Sequence, residues 1–324
     1  MSPDYLHNHP EFPELIRIVA RERGIDPALV EKDYWIMHCL YCLQRLNMTF
    51  QLKGGTSLSK GYQIINRFSE DIDIRIEPPK ERQVRTGKNH NKAKDVRARK
   101  DFFDWVAKKI SFDGIEKVER DTAFDNMHMT SAGIRLFYKT STEGMEGLRP
   151  GVLLEAGFDE VSPNSAKDIS SWLYDYAVAK KVDVIDNRAK AVACYDPCHT
   201  FVEKLQTIST KFRQQQASKE SPVGFMRHYY DLYSLLRRPE VQAFIGTDAY
   251  KAHKKKRFRP GDNPDITQNQ AFILADPATR EIYAKAYDES AALYLGDKPT
   301  FEEILKEVGK WAERAGAPRR SGGD

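Results

Sequence analysis

The sequence predicts an α+β protein, with a strand-rich lobe followed by a lobe built mainly of helices. Strand-like runs, among them Thr49 to Leu52, the segment around Asp71 and Asp73, IRLFYK (Ile134 to Lys139) and VLLEAGF (Val152 to Phe158), all precede Pro197. Beyond it, apolar residues recur at helical spacing in one segment after another. Runs of strands followed by runs of helices are the pattern of α+β architectures. The 324 residues are enough for two domains. They are divided here into 1–165, a core with N-terminal helices, and 166–324, a mainly helical lobe.

Two helices open the chain. Glu11 to Arg23 carries apolar residues at helical spacing and stops at Gly24. Asp26 then caps a longer helix with Pro27 at its first position, running to about Leu46. Inside it, VEKDYW (Val30 to Trp35) mixes charged and aromatic residues and reads as a partly buried salt bridge. A strand–helix–strand unit follows and ends at Pro78–Pro79. From Lys80 to Lys109 eleven Lys or Arg stand against four acidic residues, with RTGKNHNKAK expected as a mobile loop and DVRARKDFFDWVAKKI as an amphipathic helix. After the two strands at 134–139 and 152–158 comes a polar stretch, Val161 to Ser171. VDVIDN and AVACYD are expected strands. Helices are expected at Pro197–Gln216, Val223–Arg238, Pro239–Arg257, Asp276–Leu295 and Phe301–Ala315, and the tail PRRSGGD is expected to be disordered.

The chemistry concentrates in QLKGGTSLSKGYQIINRFSEDIDIRI. Gly54 and Gly55 follow a strand, and Thr56 and Ser57 open a short helical pattern. Paired glycines let backbone N–H groups approach a phosphate, and a helix N-terminus favours anions. Asp71 and Asp73 lie two apart on a strand, so their side chains share a face. Two such carboxylates repel unless a cation lies between them. Oxygen ligands suit Mg²⁺, commonly held by one or two carboxylates plus substrate phosphates. A phosphate cradle and a metal-binding pair therefore occupy one segment. Glu155 interrupts an apolar strand, where a carboxylate is costly unless paired, hydrogen-bonded or metal-bound. Lys204, Lys211 and Arg213 lie on the helix after Pro197, with Lys204 and Lys211 nearly on one face.

GGTSL followed by RFSEDIDI resembles the signature of the DNA polymerase β-type nucleotidyltransferase superfamily, and more narrowly the AbiEii/AbiGii toxin family that includes the MenT toxins. The EKDY segment has a counterpart there. KLQTISTKFR is similar to that family's KLx₄Tx₂R motif at Lys204, Leu205, Thr210 and Arg213, and RHYYDLYSLL resembles its arginine-to-aspartate motif, placing Asp231 on the acid. The resemblance runs discontinuously from Val30 to Leu236. It implies a polymerase β-like nucleotidyltransferase lobe with a helical lobe completing the active site. Asp71, Asp73 and Glu155 are then the metal ligands. Gly54, Gly55, Thr56, Ser57 and Ser69 cradle the phosphates, and Lys204 and Arg213 bind the triphosphate. Asp231 is an orienting partner or base. It further implies a toxin of a type IV, AbiE-like toxin–antitoxin system used in phage defence. Such a toxin takes an NTP donor, a tRNA 3′ end or other RNA as acceptor, Mg²⁺ and a cognate antitoxin. The alternatives are transfer to a protein or small-molecule acceptor, or a non-catalytic RNA-binding protein on the same scaffold. Two basic segments, Lys80 to Lys109 and KAHKKKRFR (Lys251 to Arg259), favour RNA.

Composition sets the remaining bounds. A net charge of +4, with 40% hydrophobic and 30% charged residues, suits a globular protein. No run approaches the ~20 apolar residues needed to cross a bilayer. MSPDYLHNHPEFPEL lacks the basic and apolar regions of a signal peptide, so a cytoplasmic location is expected. Cys39-x-x-Cys42 and Cys194-x₃-Cys198, beside His38 and His199, could suggest zinc. The first pair falls in an apolar helical pattern, and the gap of about 150 residues matches no compact zinc motif, so these cysteines read as core residues.

Overall fold

The computed structural model describes residues 3–87 and 89–316, so the expectation for the PRRSGGD tail lies outside the described residues. The chain forms two compact units, Met1–Gln63 with Phe68–Tyr195, and Ile64–Arg67 with Asp196–Asp324. Segment 166–195 thus groups with the strand-rich unit.

In the first unit, α1 (Phe12–Arg23) ends at Gly24, whose φ of 64° closes the helix in the left-handed region. The Asp26 carboxylate accepts from the Ala28 N–H and starts α2 (Pro27–Arg45), which is buried along most of its length. The three charged residues of its EKD run are all engaged. Glu31 accepts from the Ser141 N–H at 2.7 Å and the Thr142 hydroxyl at 2.5 Å. Lys32 donates to the Arg149 carbonyl at 2.5 Å, with Glu70 Oε2 3.5 Å away. Asp33 accepts from the Trp172 N–H at 2.8 Å and pairs with Lys60 at 2.5 Å. The EKD run is therefore a tether from α2 to several loops, because a buried charge persists only when paired or hydrogen-bonded.

The chain continues through β1 (Phe50–Lys53), the single turn α3 (Gly54–Thr56), β2 (Asp71–Ile76), α4 (Ala93–Lys109), β3 (Ile115–Asp121), β4 (Ser131–Tyr138), β5 (Val152–Gly157), β6 (Asn164–Ile169), α5 (Trp172–Ala179) and β7 (Ala189–Tyr195). The strands form one mixed seven-stranded sheet, ordered β3-β4-β5-β2-β1-β7-β6. β2 is central: antiparallel to β1, parallel to β5. Its alternation buries Ile72, Ile74 and Ile76 and turns Asp71, Asp73 and Arg75 to the opposite face.

The edge strands depart from expectation. β3 was not anticipated, and β6 lies within the stretch read as merely polar. Both sit at sheet edges; β3 fully buries none of its side chains and β6 only Ile169, which removes the apolar alternation that marks a strand. VDVIDN was expected to be a strand, but only Val184 pairs, in an isolated bridge with Asp4. Within the stretch expected as a mobile loop, the Arg85 and His90 carbonyls each accept at 2.9 Å from the fully buried Arg99, which also donates to the His128 carbonyl.

The second unit contains α6 (Pro197–Ser218), α7 (Arg227–Leu236), α8 (Pro239–Phe244), α9 (Asp248–Arg257), α10 (Gln270–Ile273), α11 (Pro277–Glu289) and α12 (Phe301–Gly316). α6 packs on α7, α8, α9 and α10. The single helix expected over 239–257 is two, broken at Gly246 (φ 80°) and restarted where the Thr247 hydroxyl accepts from the Tyr250 N–H.

A buried polar cluster in the first unit is expected to make the protein acid-sensitive. His38 is fully buried, with Asn187 Nδ2 3.2 Å from its Nδ1 and the Asp113 carbonyl 3.1 Å from its Nε2. Burial first, then the nearby His7, pushes it from 6.5 down to about 4 against the opposing pull of Asp113. Cys42, Tyr34, Tyr5 and Tyr41 complete its surroundings. Between those pH values the unfolded chain holds a proton that the folded chain refuses, so stability falls as pH drops through the window, by roughly 3 kcal/mol. Urea unfolding at pH 7 and pH 4.5 should show this loss, and His38→Gln should flatten it; an unchanged slope in the variant would locate the acid sensitivity elsewhere.

Candidate active site

In the first unit the site begins where β1 stops. Gly54 has φ +72°, and a Cβ there would lie 2.1 Å from Asp73 Oδ2. Only glycine fits, because the backbone turn rests directly against the carboxylate. Asp73 is half-buried and stands in register with Glu155 on the parallel strand β5 and with Lys53 on β1. Glu155 is the one side chain of β5 that is not buried. Asp71, two residues before Asp73, is buried.

The two hydroxyls after the glycines have different fates. Thr56 Oγ1 donates to the Asp71 carbonyl at 2.5 Å and lies 3.1 Å from Ser69 Oγ. Those bonds tie the cradle to the start of β2 and commit both Thr56 and Ser69 internally. Ser57 is equally buried, yet its hydroxyl has no nitrogen or oxygen partner and only the Cys194 thiol beside it. A buried hydroxyl so weakly partnered is costly and asks for an incoming acceptor.

Among the described residues no three or more His, Cys, Asp or Glu side chains form a ready-made metal cluster. The donor set still fits Mg²⁺, which needs only one or two protein carboxylates when phosphate oxygens supply the rest. Asp71 and Asp73 provide the pair, and Glu155 is the neighbour in register.

In the second unit the centre is Asp231, fully buried on α7. Arg67 grips it with two bonds, Nε to Oδ1 at 2.6 Å and Nη2 to Oδ2 at 2.8 Å. Lys204 Nζ lies 2.8 Å from Oδ2 and 3.2 Å from His228 Nδ1. Burial would raise the Asp231 pKa, but the Arg67 and Lys204 charges outweigh it and hold the carboxyl well below the usual range. Burial, reinforced by Lys204, keeps His228 well below its ordinary value and hence neutral. A carboxylate so compensated is a poor proton acceptor; it orients Lys204.

The other two residues of KLx₄Tx₂R converge on Asp262: Thr210 donates to Oδ2, and Arg213 Nε lies 2.9 Å from Oδ1. Arg213 remains about half exposed on its outer side. Lys211, expected on nearly the same face as Lys204, is exposed where Lys204 is buried. Arg67, His228 and Asp262 were not singled out in the sequence. The arginine opening RFSED offered a signal for the first; spacing offered none for the others.

The KKKR cluster divides. Lys254 lies 5.4 Å from the Tyr250 ring, its pKa lowered by burial, and Arg257 pairs with Glu203 at 3.2 Å. Lys255 and Lys256 stay exposed. Among the described residues no helix is long and apolar enough to cross a membrane.

A family model described as "Nucleotidyl transferase AbiEii toxin, Type IV TA system" matches residues 38–307. That span takes in GGTS, Asp71 and Asp73, Glu155, the α6 motif and Asp231, and continues well past Leu236, where the motif resemblance stopped. No curated protein and no solved structure matches the chain.

Proposed function

We propose, from the premise that the chain belongs to the AbiEii nucleotidyl transferase toxin family of type IV toxin–antitoxin systems, that it transfers a nucleoside monophosphate from an NTP to RNA, with a tRNA 3′ end as the acceptor. The observation that carries the reading is the contact of the Gly54 turn with Asp73, which makes phosphate cradle and carboxylate pair one piece of structure.

In this reaction a hydroxyl attacks the α-phosphorus and pyrophosphate leaves, so charge accumulates on the phosphoryl and leaving oxygens. The Gly54–Gly55 backbone and the Ser57 hydroxyl receive the phosphates, Thr56 and Ser69 hold that turn to β2, and Lys204 neutralises the triphosphate. Asp231 orients the Lys204 ammonium, which its 2.8 Å contact supports. Arg213, braced by Asp262, supplies a further cation through its exposed side. Asp71, Asp73 and Glu155 would hold Mg²⁺, which when bound stabilises developing charge and lowers the pKa of the attacking hydroxyl.

RNA as the acceptor rests on the family resemblance and on the exposed cations of α4 and α9, Lys255 and Lys256 among them. We place the protein in the cytoplasm, in phage defence, opposed by a cognate antitoxin. The test is incubation with each α-labelled NTP, Mg²⁺, total RNA and protein extract. Label is expected in the RNA fraction and in tRNA-sized species. Label confined to protein or small molecules would overturn the acceptor, and no label in any pool would favour a non-catalytic RNA binder.

A further inference from the structure

Several cations around the sheet of the first unit are engaged. Lys32 is held by the Arg149 carbonyl and Glu70, Lys60 by Asp33 and the Trp172 ring, Arg75 by Gln51 and Glu77, and Arg135 by Asp121 and the Pro150 carbonyl. Lys53 is different. It is half-buried at the end of β1, and among the described residues its ammonium has neither an ion-pair nor a hydrogen-bond partner. It stands directly opposite Asp73 in the antiparallel β1–β2 pair, so the two side chains share a face. It also immediately precedes Gly54, whose backbone rests on the Asp73 carboxylate.

A lysine one strand from a carboxylate normally closes onto it. Here it does not, although Asp73 lies directly across the strand pair on the same face. We propose that Lys53 is a substrate-binding residue that contacts the phosphate chain of the NTP at the glycine turn. The inference rests on the reading of the GGTS–DxD segment as the triphosphate site and adds the residue that supplies its fixed positive charge. Lysine suits the task as a flexible point-charge donor to phosphate oxygens. Because Lys53 supports no internal ion pair, its removal has little to disturb in the fold.

The test is equilibrium binding of each NTP, inorganic pyrophosphate and the matching nucleosides to the full chain with Mg²⁺. It is run on wild type, Lys53→Met and Lys53→Arg, with thermal unfolding in parallel. Lys53→Met should weaken NTP and pyrophosphate binding roughly 10- to 100-fold, the scale of one charge-assisted hydrogen bond. Nucleoside binding and Tm should not move, and Lys53→Arg should recover most of the affinity. Wild-type protein that binds neither NTP nor pyrophosphate would overturn the site reading and this inference together. Wild-type binding with undiminished affinity in Lys53→Met would overturn the inference alone, as would a loss that tracks a lowered Tm and is not rescued by arginine.

Discussion

Asp71→Ala and Asp73→Ala are each expected to reduce nucleotidyl transfer below detection while leaving the chain folded. The carboxylates share a face of β2, beside the one turn whose backbone can approach a phosphate. Losing either removes half of the protein's donor pair, and positioned charge at the reacting phosphoryl group is usually the largest single contribution to such catalysis. The two variants should differ in stability. Asp73 is half-buried against Glu155, so its removal relieves repulsion and should leave the metal-free Tm unchanged or higher. Asp71 is buried, and burial lowers the Lys32 pKa while the Asp71 charge, with that of Glu70, opposes the shift, so its removal should lower Tm. Mg²⁺ should raise the wild-type Tm by mass action and leave both variants unmoved. Transfer of label from an α-labelled NTP at the wild-type rate by either variant would end the proposed metal site.

Asp231→Asn should be the most destabilising single substitution of the second unit, at about 3–5 kcal/mol, the cost of leaving buried charges without their partner. Arg67 and Lys204 both depend on this carboxylate. The depressed Asp231 pKa fixes the sign of its pH dependence: the stabilisation is complete at neutral pH and begins to be lost as pH falls through the unfolded value of about 3.9. Lys204→Met separates structure from function, because Asp231 keeps its two bonds from Arg67. That variant should fold well yet use NTP roughly 10- to 100-fold less effectively, the scale of one charge-assisted contact. Urea unfolding and NTP titration read the two effects. An Asp231→Asn protein as stable as wild type would show that Arg67 and Lys204 do not rely on the carboxylate. An unchanged NTP dependence in Lys204→Met would move the triphosphate clamp elsewhere.

The sequence by itself determined the α+β class, the glycine turn, the shared face of Asp71 and Asp73 and the residues of α6 and α7 that belong to the family's motifs. Each depends on neighbours along the chain: a period of two on a strand, a period of 3.6 on a helix, a turn that only glycine can make. Tertiary structure alone decided which hydroxyl is available, because Thr56 finds its partners at Ser69 and Asp71 and Ser57 finds no nitrogen or oxygen partner. It also decided that Asp231 is clamped by Arg67, 164 residues away in sequence, and that Thr210 and Arg213 close on Asp262. The edge strands β3 and β6 belong here too, since strands that face solvent carry little apolar pattern and are recognised by their pairing. Lys53 shows the division within one residue. Its place before the glycines is plain in the sequence, but its lack of a partner beside Asp73 emerges only in the folded chain, because burial and pairing are properties of the whole fold.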